Sequence, residues 1–290
     1  MLLDKPTGMT SNDALQKARR LYSAEKGGHT GTLDPMASGL LPVCFGEATK
    51  FGSDLLDADK TYLATLRLGE RSNTGDADGE IVERRPVTVD DATVREALAA
   101  LLGPQMQTPP MHSALKRNGV PLYRLAREGI EVEREPRAIR IDAIAAVRIA
   151  LPELVIRVAC SKGTYIRVLA EDIGEALNCG AHLTALRRER VAALSIDEAL
   201  SLDALSALDD AARLAVLRPV DFLLQELPRI EIDEAALQRF GNGNPICVKP
   251  GELDQGDRFR VYSGGRLIGL GRRDDEGHLQ PQRLLRRDPT

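Results

Sequence analysis

A chain of 290 residues with 39 Lys and Arg against 43 Asp and Glu, a formal charge of -4, is long enough to bury a sizeable core and does not coat nucleic acid by bulk positive charge. Hydrophobic residues make up 43% of it but aromatics only 3%, with no Trp, so the core must be aliphatic. No apolar run approaches the roughly 20 residues of a membrane span, and "MLLDKPTGM" lacks the basic start and long apolar stretch of a signal peptide, so a cytoplasmic protein without membrane association is expected.

In chain order, "NDALQKARRLY" (Asn12 to Tyr22) reads as a helix with Asn12 as N-cap. The next stretch, "GHTGTLDPMASG" (residues 28 to 39), has neither helical nor strand rhythm and is read as a glycine-rich loop carrying one carboxylate, Asp34. "KTYLATLRLG" has the composition of a strand. "DADGE" (Asp76 to Glu80) lacks the ligand spacing of a calcium loop and reads as a tight surface turn. "VDDATVREALAALLG" predicts a helix ending at Gly103. An apparent insertion follows, about residues 108 to 140, "TPPMHSALKRNGVPLYRLAREGIEVEREPRAIRI", bounded by prolines. Long excursions of this kind serve as lids or binding loops, and its Lys116, Arg117, Arg124 and Arg127 favour a flap that contacts an anion. "LVIRVAC" predicts another strand. The Ala/Leu-rich span from Ser195 to Leu224 reads as helical, broken at Pro219. Composition then shifts, placing a boundary after Leu227. Residues 228 to 290 read as a small β-rich domain with a hairpin at Ser263-Gly264-Gly265.

Chemistry is sparse in this pattern. There is no Walker A loop and no nucleophile elbow, and nothing announces a cofactor or a metal. Cys44, Cys160, Cys179 and Cys247 are too scattered for a disulfide framework, and Cys179 with His182 alone makes a poor zinc site. Basic clusters at Arg187, Arg188 and Arg190, at Lys116 and Arg117, at Arg272 and Arg273, and at Arg283, Arg286 and Arg287 suggest an anionic partner in an otherwise acidic chain. By pattern alone, Asp34 before Pro35 is a turn former.

"GHTGTLDPMASGLLPVCFGEATK" resembles the signature loop of the TruB-type tRNA pseudouridine synthases. "LLDKPTGMTSNDALQK", "DADG", "MHSALK", "CSKGTYIRVLAEDIGEAL" and "GAHLTALRR" resemble further motifs of that family in its order, and "FGNGNP" with the Gly-rich hairpin resembles the PUA domain of its bacterial members. The resemblance implies an α+β pseudouridine synthase fold over residues 1 to 227, a mixed and largely antiparallel sheet with flanking helices and an inserted RNA-binding flap, followed by a PUA-like domain. It also implies isomerisation of the T-loop uridine at tRNA position 55, with the T arm of tRNA as partner, no cofactor, no metal and a monomeric enzyme. Such an isomerisation breaks the bond from N1 to C1′, turns the uracil and joins C5 to C1′.

A carboxylate suits that reaction, because it can capture charge at C1′, take a sugar proton or add to the ring, and the residues leave these routes open. By the resemblance Asp34 is the essential acid and Arg167 its bidentate partner. Tyr62 stacks on the uracil and helps remove the C5 proton, Tyr165 and Leu186 line the base pocket, and His29 fills the space beside the flipped-out nucleotide. Lys5, Lys50 and Asp76 fall in family motifs and are expected, with Lys116, Arg117, Arg124, Arg127, Arg187 and Arg188, to position RNA. Two departures stand out: the chain starts almost at the first strand, and His112 replaces a common tyrosine. The competing reading is a non-catalytic RNA-binding protein or tRNA-folding chaperone, which would not need a paired acid in its pocket.

Overall fold

The computed structural model describes residues 1–248, 251 and 253–286; Arg287 lies outside the described residues. Strand β1 (Leu2–Lys5) leads into helix α1 (Ser11–Leu21). The N-cap is Thr10 rather than Asn12. Thr10 Oγ1 accepts from the Asp13 N–H at 3.0 Å and the Asp13 carboxylate accepts from the Thr10 N–H at 3.2 Å, so two orphan donors of the first turn are satisfied together. The glycine-rich stretch is more ordered than its sequence suggests. Strands β2 (Gly27–His29) and β3 (Ala37–Phe45) pair antiparallel, and only the segment between them, with Asp34, is a loop. Strand β3 lacks the alternation expected of a half-buried strand because both of its faces are covered.

Strand β4 (Lys60–Leu68) alternates buried and partly exposed residues along most of its length. The short strands β5 (Glu70–Ser72) and β6 (Ile81–Arg84) bracket the acidic turn. Helix α2 (Asp91–Ala100) is capped by Asp90 and ends before Gly103, which instead opens strand β7 (Gly103–Gln107). The insertion holds a two-residue ladder, β8 (Lys116–Arg117) with β9 (Val120–Pro121), and helix α3 (Leu122–Arg127). Strand β10 (Arg137–Ala150) begins within the expected insertion and pairs with β11 (Glu153–Cys160). Helix α4 (Ile166–Ala176) and strand β12 (Ala181–Val191) follow. The span read as one helical region is broken into strands β13 (Leu194–Ser195) and β14 (Leu200–Ser201) and helices α5 (Leu202–Ala207) and α6 (Asp210–Ala215). Ser201 and Asp209 each cap a new helix there, which is why Ala/Leu content did not yield a continuous one.

Ten strands form the main sheet, whose principal path runs β14-β1-β3-β12-β4-β11-β10-β7. The pairs β1 with β14 and β3 with β12 are parallel and the other pairings are antiparallel, the mixed and largely antiparallel α+β sheet that the resemblance implied. Helices α2 and α4 bury Val94, Leu98, Leu169 and Ile173 in a core with Leu66, Leu154 and Ile156, while α1 buries Ala14, Leu15 and Ala18 with Leu3, Leu41 and Val43. The register from β1 to β4 puts Leu3 and Leu41 on the same face as Tyr62 and Ala64, so α1 and α4 flank one face of the sheet.

A second, four-stranded sheet is built from β15 (Arg229–Glu231), β16 (Arg258–Ser263), β17 (Arg266–Arg273) and β18 (Leu279–Leu284), with helix α7 (Glu234–Gly241) against it. It is docked on the first. Phe51 is buried with Leu224 and Leu270, and Lys50 Nζ donates to the Leu284 carbonyl at 2.8 Å. Among the described residues no helix is long and apolar enough to cross a membrane.

Candidate active site

Register sets the floor of the site. Lys5 on β1 lies opposite Gly39 on β3, Gly39 beside Arg188 on β12, and Arg188 opposite Tyr62 on β4. The neighbouring row is Ala37, Leu186 and Ala64. Small residues on β3 leave room for the large ones beside them. At Gly39, with φ +106°, an added Cβ would lie 2.4 Å from the Arg188 carbonyl oxygen, so the strands approach this closely only with glycine there. The loop carrying Asp34 crosses above this floor. It is held by a hydrogen bond from the Gly8 N–H to the Pro35 carbonyl and by a turn from the Ala37 N–H to the Asp34 carbonyl.

Arg167, on the first turn of α4, points back to that loop. Its Nη2 lies 3.0 Å from Asp34 Oδ2 and its Nε 3.5 Å from Asp76 Oδ2. The remaining donors reach the carbonyls of Thr74 at 3.3 Å and His112 at 2.7 Å. The Arg167 side chain is 6% exposed and that of Asp34 39%, so the acid faces the open side and the arginine its buried back. Asp34 takes a single oxygen contact from the guanidinium, and the second fork reaches Asp76 instead of forming the expected bidentate pair. Asp76 also corrects the surface-turn reading. Its carboxylate accepts from Thr74 Oγ1 at 2.6 Å and from the Asp78 N–H at 3.1 Å, which makes the turn, but its side chain is turned inward and buried against Arg167.

Burial raises the Asp34 carboxyl above its ordinary value; Arg167 opposes this, and the nearby carboxylates Asp76 and Asp78 add to it. Tyr62, buried in the floor, is held in its protonated form by burial, against the pull of Arg188. Burial and then Arg188 lower His29, whose Nδ1 is buried without a hydrogen-bond partner, so its ring is neutral at pH 7. Tyr165 is the N-cap residue of α4, and burial raises its hydroxyl. Leu186 is 9% exposed in the same apolar cluster as Leu33, Tyr62 and Ala64. The structure therefore gathers Asp34, Arg167, Tyr62 and Leu186 around one face of the sheet, with Tyr165 at its edge.

Several residues expected to meet RNA are placed otherwise. Arg188 is 1% exposed and cannot reach a phosphate: its Nε donates to the Leu40 carbonyl at 2.7 Å and its Nη2 to the Gly31 carbonyl at 3.0 Å. Lys5 is fully buried, donates to the carbonyls of Pro6 and Met9 at 2.8 and 2.7 Å, and is pushed down to about 8 by burial, Asp34 opposing. Arg187 points to the other face, where it forms a two-pronged pair with Asp4 at 3.1 and 2.7 Å. Lys50 is tied to Glu47 and to Leu284 at the junction with the second sheet. Lys116, Arg117, Arg124 and Arg127 on the insertion are exposed. His182 is buried against the Glu70 carbonyl, and among the described residues no cluster with metal-ligand character occurs.

Asp34 thus stands above a mixed sheet of the pseudouridine synthase fold, its back held by a buried guanidinium that it shares with Asp76. The chain superposes with a TM-score of 0.70 on a chain of a Cbf5-Nop10-Gar1 complex, at 28% identity, covering 93% of this chain and 76% of that one. It superposes with a TM-score of 0.71 on a chain of the archaeal box H/ACA sRNP Nop10-Cbf5 complex, where 23% identity speaks for the fold alone. Residues 19–166 match the N-terminal domain of the TruB family pseudouridylate synthases, 167–225 the tRNA pseudouridylate synthase B C-terminal domain, and 228–285 the C-terminal region of pseudouridine synthase II TruB. The tRNA pseudouridine synthase B of Dechloromonas aromatica is 57% identical over 285 residues, covering 98% of this chain and 94% of its own. That of Burkholderia lata is 56% identical over 288 residues, covering 98% and 89%. The chain belongs to the TruB family of pseudouridine synthases.

Proposed function

We propose that this protein isomerises uridine to pseudouridine in tRNA, at the T-loop position 55, with Asp34 as the reacting acid. The observation that carries the reading is the pair of Asp34 and Arg167 at 3.0 Å, set beside Tyr62 and Leu186 on the sheet. Asp34 presents a carboxylate to the nucleotide while Arg167 offsets the burial that would otherwise favour its protonated form. The apolar surface of Leu186 gives a detached uracil a wall without fixed hydrogen bonds, so the base can turn before C5 meets C1′. Tyr62 and Tyr165 offer aromatic faces, and His29, neutral, can stand beside the loop from which the uridine is flipped. No atoms are gained or lost, so the reaction needs no redox partner.

The exposed cations of the insertion support its role as a flap on the T arm, and the C-terminal sheet, with exposed Arg272, Arg273 and Arg283, supports a further PUA-like contact with RNA. A monomer acting in the cytoplasm, where tRNA is found, is the reading that goes with this substrate. Unmodified tRNA tritiated at uracil C5 tests the function, because forming the new bond at C5 releases that label to water. Wild-type protein should release it and Asp34→Asn should not, while still binding tRNA. Release by Asp34→Asn at the wild-type rate removes the acid from the mechanism.

A further inference from the structure

Asp34 and Arg167 come from segments 133 positions apart: Asp34 lies in the loop between β2 and β3, and Arg167 in the first turn of α4, just past the irregular turn that leaves β11. Neither segment has a strand partner at the critical residue. In each, a buried side chain takes the place of one. Ser11 is 1% exposed; its Oγ accepts from the Leu33 N–H at 2.8 Å and donates to the Leu33 carbonyl at 3.0 Å. Gln107 is 4% exposed; its Oε1 accepts from the Tyr165 N–H at 2.8 Å and its Nε2 donates to the Tyr165 carbonyl at 3.1 Å. Each clamp fixes both backbone groups of one residue, and that residue is next to Asp34 in one case and two before Arg167 in the other.

Hydrogen bonds at both peptide groups of a residue restrict its φ and ψ much as a neighbouring strand would, and so direct the side chains that follow. Both clamps are mounted on regular elements. Ser11 opens α1, which packs on the sheet, and Gln107 ends β7, which is paired with β10. Gln107 is also the last strand residue before the insertion, whose His112 carbonyl accepts from Arg167. We infer that Ser11 and Gln107 are positioning residues for the isomerisation, each holding one half of the pair of Asp34 and Arg167 through the backbone beside it. Their hydrogen bonds go to the backbone of Leu33 and Tyr165 rather than to the carboxylate or the guanidinium. This assignment rests on the proposed function, and the experiment separates the two.

Ser11→Ala and Gln107→Met remove the hydrogen bonds at nearly unchanged volume. Both variants and the wild type are compared by single-turnover tritium release at saturating tRNA, by Kd for tRNA and by thermal melting. An element that serves only folding lowers the melting temperature and leaves the rate of the folded protein alone. A positioning residue lowers the rate while Kd stays put. Each variant should lose at least tenfold in single-turnover rate with Kd within threefold of wild type. If one melts below the assay temperature, the other carries the test. A folded variant that retains its rate within twofold, or that loses only tRNA affinity, overturns the inference. Absence of release by the wild type overturns the proposed function instead.

Discussion

Arg167→Lys keeps the charge beside Asp34 and removes the geometry. The guanidinium makes contacts in four directions, to Asp34 at 3.0 Å, Asp76 at 3.5 Å, the Thr74 carbonyl at 3.3 Å and the His112 carbonyl at 2.7 Å. An ammonium on a flexible stem has three donors diverging from one atom, and cannot span acceptors spread around a planar fork. If it holds Asp34, its two remaining donors cannot cover the other three acceptors, so at least one contact is lost or the acid is drawn out of place. A hydrogen bond to a charged group contributes about 1.5 to 3 kcal/mol, so one lost contact amounts to at least about 1.5 kcal/mol, roughly tenfold in rate where it holds the reacting geometry. Single-turnover tritium release at saturating tRNA measures the effect, with Kd measured in parallel. A rate within about threefold of wild type, a shift of under about 0.7 kcal/mol, would refute the claim that the fork matters beyond its charge.

Further outcomes follow from the same geometry. Because Asp34 is raised from 3.8, its protonated form is the one the fold favours: that stabilisation is full below 3.8 and is lost as pH rises through the folded value. Activity that needs the carboxylate should therefore fail on the acid side at a midpoint above 3.8, and higher still in Arg167→Met; a midpoint at or below 3.8 contradicts this. By the same sign, Asp34→Asn should melt no lower than wild type at pH 7, which calorimetry checks. Gly39→Ala would place a methyl 2.4 Å from the Arg188 carbonyl oxygen at φ +106°; it should lower the melting temperature by roughly 5 °C or more, and an unchanged melt would show that the strands can part. Replacing Lys116 and Arg117 together by Ala should weaken tRNA binding and reduce the slope of log Kd against log salt by up to about 2, whereas an unchanged slope means that the flap makes no phosphate contact there.

The legible part of this protein was its motifs, and the illegible part was which way they face. Asp34 and Arg167 were paired by their motifs alone, since nothing in a separation of 133 positions says that two side chains meet. The doublet Arg187-Arg188 read as a basic surface cluster. On a strand, consecutive side chains point to opposite faces, so one of the two had to turn inward, and β12 sends Arg188 under the loop and Arg187 out to Asp4. That alternation would have followed from reading "GAHLTALRR" as a strand, which its composition alone did not prompt. Burial of Lys5 was not available, because it depends on Gly39 and Arg188 lying beside it across three strands. Nothing in the sequence singles out Ser11, and only its hydrogen bonds to Leu33 give it a task.

The charges of the site obey one arrangement. Lys5 and Arg188 are buried cations, and a buried charge without compensation costs several kcal/mol, so each would be expected beside a carboxylate. Each bonds to carbonyls instead, Lys5 to Pro6 and Met9, Arg188 to Leu40 and Gly31. Those carbonyls belong to the segments around the Asp34 loop, so the cations fix the backbone, and Arg167 is the cation in direct contact with the acid, Lys5 feeling it only at a distance. Were either cation paired directly with Asp34, a second opposite charge would hold the carboxyl low, and a carboxylate so stabilised is a poorer base and nucleophile. Burial with one cationic partner in contact leaves Asp34 raised above its ordinary value, with Arg167 opposing the shift. The third cation, Arg167, divides its donors between two acids and two carbonyls for the same reason: it orients Asp34 without neutralising it fully.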